Sequence, residues 1–183
     1  MRLPINTTFE RWARIAPFSD FQMQTFSRPQ KVGKHKTPEN LNELTIGQLI
    51  DLSSATDGMG IFYNICQIIL GMTETETMKA RAVDVVRFVG WVTGEVEKIN
   101  KLFEGASGKP TEMERRAGIE RLQFGLFGML DYYALRMGIK DHDEVLKVKW
   151  MRVYKCIDID NQKQLYQRRL QEVMTNDYRR KSH

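Results

Sequence analysis

A chain of 183 residues and 21.4 kDa is the size of one ordinary domain with a real core. Its 42% hydrophobic and 28% charged residues exclude a disordered composition, and its most apolar stretches, 61–72 and 83–92, fall short of the roughly 20 residues that span a bilayer. The net charge of +5 is uneven: residues 1–40 hold seven Lys/Arg against three Asp/Glu (+4), residues 41–135 nine against thirteen (−4), and residues 136–183 twelve against seven (+5).

Basic ends around an acidic middle point to anionic partners, either nucleic acid or the acidic faces of other protein subunits. Residues 1–40 read as an N-terminal arm. Pro4, Pro17, Pro29 and Pro38 all fall there, and each fixes φ and removes a backbone donor. A short helix over 5–15, capped by Thr7 or Thr8, precedes an extended stretch from Ser27 to Asn40. The arm carries Phe9, Trp12, Phe18, Phe21 and Phe26, large groups that need a surface to bury against. We expect them to anchor the arm beyond its own domain, with folding back onto that domain as the alternative. Arg28, Lys31, Lys34 and Lys36 would then lie over acidic helix faces of this chain or a neighbouring one.

After the arm, residues 41–178 read as one helical domain. Thr45 and Gln48 form a capping-box pattern that opens a short helix. A second runs from about Met59 to Leu70, with Gly71 placed to end it and Cys66 inside as a core residue. Thr75 or Thr77 caps a long third helix through Val85, Val89, Val92, Val96 and Phe103, whose three- and four-residue spacing is the helical period. The loop 104–110 turns the chain. Thr111 and Glu114 repeat the capping box and open a fourth helix that reaches Met137. The third and fourth helices should lie antiparallel at the centre, with Val89, Val92, Val96, Leu122, Phe124 and Leu126 in the core. Gly90, Gly94, Gly118, Gly125 and Gly128 then stand inside helices, where close approach of another backbone must compensate them.

A fifth helix starts at Asp141. The run Ile157–Asp160 alternates like a strand but is too short, and reads as a turn. The last helix uses Leu165, Tyr166, Leu170 and Val173 as its face, carries Arg168 and Arg169, and ends in a basic tail, 179–183, with Arg179 and Arg180. The expected fold is all-α, an irregular bundle of five or six helices behind an extended arm.

Chemistry is sparse. Cys66 and Cys156 are too few for a disulfide scaffold or a four-ligand zinc site, and His35, His142 and His183 stand at no metal-ligand spacing. Asp141, His142, Asp143 and Glu144 are adjacent at a helix start, where a cap and favourable dipole charges explain them. Carboxylates two apart, such as Glu74 and Glu76, point to different sides of a helix. The reading is a protein that is not an enzyme and takes no cofactor or metal. Partners are other proteins, copies of itself included, and no membrane. The alternative is a nucleic-acid-binding module using the two basic ends, although the arm's aromatics precede its charges and do not interleave with them. The absence of a signal-like apolar run near the start leads us to expect a reducing cytoplasm.

Two stretches carry a resemblance. The segment from Leu135 to Met174, through Gly138, Asp141, Glu144, Val145, Leu146 and Trp150, is similar to small helical morphogenesis proteins of tailed bacteriophages, the tail assembly chaperones in particular. The stretch ELTIGQLIDLSSATD resembles the opening helix of the same group. The resemblance implies a helical assembly or virion protein, found in the host cytoplasm during assembly and in the particle. The Pro-rich arm and basic C-terminus depart from the chaperone pattern and suit a virion component whose arm wraps a neighbour.

Overall fold

The computed structural model describes residues 7–14, 26–54, 58–106, 108, 110–122 and 124–181. Among them are nine α-helices and one two-stranded hairpin, so the fold is all-α. The elements are α1 (Phe9–Ala13), β1 (Lys31–Val32), β2 (His35–Lys36), α2 (Ile46–Ser54), α3 (Gly60–Leu70), α4 (Glu74–Lys79), α5 (Ala82–Ala106), α6 (Glu112–Arg116), α7 (Gly125–Met137), α8 (His142–Leu146) and α9 (Trp150–Lys181). The chain divides into two compact units, Met1–Asn100 and Lys101–His183.

In the first unit, Thr8 caps α1 by accepting from the Arg11 N–H. The chain just before α1 pairs with the extended link between α4 and α5. Phe9 N–H donates to Ala80 O and Ala82 N–H donates to Thr7 O, both at 2.8 Å. That bridge satisfies backbone groups where two helices end and begin. It also presses α1 into the core: Phe9 and Trp12 are 0% and 2% exposed. The hairpin turns through Gly33, whose φ of +57° only glycine adopts freely, and fully buried Val32 pins it to the unit.

Thr45 and Gln48 exchange their hydrogen bonds as the capping box requires, and α2 buries Ile46, Leu49 and Leu52. Gly71 ends α3 at φ +64°. The next cap differs from expectation. Thr73 with Glu76 caps a separate six-residue helix, α4, and the long helix α5 starts only at Ala82. Along α5, Val85, Val86, Val89, Val92, Val96 and Ile99 are buried, which is the seam the spacing required.

The second unit corrects the expected central pair. Thr111 and Glu114 do cap α6, but Gly118 at φ +87° ends it, a single 3-10 turn over Ile119–Arg121 follows, and α7 opens at Gly125 with φ +53°. The expected fourth helix is therefore two helices, and among the described residues no single long helix spans 111–137. Leu122, Phe124 and Leu126, expected in the core, are 61%, 68% and 44% exposed. The turn expected at Ile157–Asp160 is also corrected, because α9 runs unbroken through it. The helix is held there by Tyr132, whose hydroxyl lies 2.6 Å from Asp160 Oδ2 and 3.0 Å from Cys156 O, and by Arg136, which donates to the same carboxylate. Leu130, Tyr133, Ala134, Val145, Trp150 and Val153 form the buried centre of this unit.

Candidate interaction surface

Of the residues expected to meet partners, the arm's cations are placed first by the hairpin. Arg28 is half-buried, and its Nη1 donates to Thr37 O at 3.1 Å, Thr37 Oγ1 at 3.3 Å and Pro38 O at 3.3 Å, tying the two ends of the hairpin together. Lys34 reaches α4, with Nζ 2.7 Å from Glu76 Oε1. That ammonium, together with the Thr73 N–H, holds the Glu76 carboxyl down at about 2. His35 Nε2 lies 3.6 Å from the same oxygen. Lys31 and Lys36 face each other across the strands and are exposed. The basic segment thus meets an acidic helix of its own unit at one point.

The aromatic anchors divide differently. The Phe9 and Trp12 rings stand 5.0 and 6.0 Å from Phe62, inside the core, and so present nothing to a partner. Their expected role as anchors is corrected by the α1 bridge, which draws them inward. Phe26 is half-buried. Phe18 and Phe21 lie outside the described residues.

Near the C-terminus, Arg168 Nη2 donates to Glu114 Oε1 at 2.6 Å, joining α9 to α6. The Glu114 carboxyl is lowered chiefly by the Thr111 N–H, with the Arg168 charge adding to it. Arg169, Arg179 and Arg180 are exposed, and the last two sit in the final turn of α9, where cations suit the helix dipole.

What sequence reasoning missed is the apolar surface. Among the described residues, the exposed large hydrophobic side chains all fall between Leu102 and Tyr178, in the second unit. One group surrounds the break between α6 and α7, with Leu122, Phe124 and Phe127 at 61%, 68% and 63% exposure. The other lies along α9. Exposed apolar groups collected on one unit mark an interaction surface more than scattered ones do. The signal for the first group was present in the sequence as Gly118 and Gly125, which bracket Leu122 and Phe124 and stand just before Phe127.

Among the described residues, no three His, Cys, Asp or Glu side chains come together to hold a metal ion, and no helix is long and apolar enough to cross a membrane. Comparison with protein-family models, curated proteins and solved structures gives no match.

Proposed function

We propose that this chain is a non-enzymatic assembly or structural protein acting through contacts with other proteins, and that it serves a tailed-bacteriophage particle, at the head–tail region or as a tail assembly chaperone. The observation that carries the first half is the collection of large exposed hydrophobic side chains on residues 102–178, beside a first unit that leaves none among its described residues. Such a surface suits a protein partner. The phage assignment rests on the resemblance of the segment around Asp141, Glu144, Val145 and Trp150. In the structure Asp141 caps α8, Val145 and Trp150 are buried in α8 and at the start of α9, and Glu144 is exposed beside Lys147.

Disrupting the coding sequence in a phage that carries it tests the reading. Unjoined heads and tails, or tails that fail to form, are the expected result. An undiminished yield of infectious particles would sink it. Binding to unrelated DNA and RNA separates the rival reading, in which Arg169, Arg179 and Arg180 contact phosphates. Such binding should be strong at about 50 mM salt and weaken by orders of magnitude at about 200 mM.

A further inference from the structure

The structure assigns the outward face of α9 to a second copy of this chain, lying antiparallel and centred on Leu170. At about 100° per residue, Asn161, Gln164, Leu165 and Arg168 share one side of the helix. That side lines a recess with Gly108, Pro110, Glu114 and Ile119 of the same unit. Ile159, Tyr166, Leu170, Val173 and Met174 fall within an arc of roughly 100° on the opposite side. Their exposures are 43%, 65%, 45%, 56% and 60%. The helix buries Trp150 and Val153 in its own unit, turns a mostly polar side to the recess, and carries an apolar seam that faces away from it. From Arg169 to Lys181 every side chain is exposed. Isolated helical segments of that length are marginal in water, so a covering partner is what would stabilise this one.

Charge selects the partner and its direction. Lys163 and Asp177 lie on the same outward face, seven residues before and seven after Leu170. A two-fold axis through Leu170 brings Lys163 of one copy to Asp177 of the other, twice, and places Tyr166 against Met174. Parallel in-register pairing would instead set Lys163 against Lys163 and Asp177 against Asp177, like charges at both positions. Within its own chain, Lys163 Nζ is 3.8 Å from Asp160 Oδ1, a long and exposed pair that leaves the ammonium able to swing outward. The overlap of residues 159–181 would run about 33 Å along the two helices. This inference does not depend on the phage assignment.

Sedimentation equilibrium of the full chain across the micromolar range tests it. The expected species has twice the 21.4 kDa chain mass. Leu170→Glu, at an exposed position, should yield a monomer that keeps its cooperative unfolding transition, with a helical circular-dichroism signal lowered only by the fraying of residues 169–181. Lys163→Asp should weaken dimerisation about tenfold, since both symmetry-related pairs turn repulsive, and adding Asp177→Lys should restore it. A wild-type monomer, or a dimer indifferent to Leu170→Glu, would overturn the proposal. A dimer lost with Leu170→Glu but indifferent to Lys163→Asp would overturn the antiparallel arrangement, because parallel pairing exchanges one like-charge contact for another.

Discussion

The Phe9 ring stands 5.0 Å from the Phe62 ring, tilted by 45°, with Trp12 stacked 5.5 Å behind it. This contact fastens the start of the described chain to α3, and the Thr8–Arg81 bridge fastens it to the α4–α5 link. Phe9→Ala should therefore cost about 3–5 kcal/mol, as large-to-small changes at buried aromatics do. Urea unfolding followed by near-UV circular dichroism measures it. Deleting residues 1–40 should unfold the first unit, and a deletion variant that kept a cooperative transition and dispersed amide resonances would contradict this account.

The Lys34–Glu76 pair sets an acid-side dependence. The Glu76 carboxyl sits at about 2 in the fold, below the roughly 4.3 of an unfolded glutamate. A carboxyl lowered by folding contributes stability that is present above its unfolded value and lost as pH falls toward its folded value. The loss should occupy the window from about pH 4.5 to about 2 and be modest, because the Lys34 ammonium is exposed and the Glu76 side chain only half-buried. Lys34→Ala should raise the Glu76 carboxyl and shrink that slope. A carbon-detected titration of the Glu76 side chain reads it directly.

What was legible in the sequence follows from which forces act locally. Capping boxes at Thr45 and Thr111 and the stop at Gly71 involve residues within a few positions of each other, and all three stand where the spacing put them. The valine seam of α5 was legible for the same reason. The break at Gly118 was not. A glycine inside an apolar period reads equally as a packed helix position or as a left-handed stop, and only the backbone distinguishes them. The inward turn of Phe9 and Trp12 depended on pairing with Ala80 and Ala82, some seventy residues away, which no local pattern encodes. The continuity of α9 through Ile157–Asp160 rests on Tyr132 and Arg136 in another helix, so a four-residue alternation misled there.

Cys66 lies fully buried in α3, and removal from water pushes its thiol up to about 12. It should stay thiol at pH 8 and resist alkylation while the first unit is folded. Iodoacetamide at that pH, with peptide mapping before and after denaturation, should find Cys66 modified only in the unfolded chain. Rapid native labelling would mean that α3 opens readily or packs differently.

Gly118 and Gly125 give a test whose sign alone decides between the continuous and the broken fourth helix. In a helix interior, Gly→Ala is stabilising by up to about 1 kcal/mol, because alanine has less unfolded-state freedom to lose. At φ +87° and +53°, the same change forces an L side chain into the left-handed region, at about 1–2 kcal/mol. Space is not the issue: a methyl at Gly118 would meet only the Arg121 side chain, 3.6 Å away, and at Gly125 nothing within 4 Å. The whole effect is therefore conformational. Each variant should lower the urea midpoint of the second unit with an unchanged slope, and the two effects should add if the turns are independent. A raised midpoint for either would mean that the helix is continuous at that glycine and that Leu122 and Phe124 belong to a buried seam.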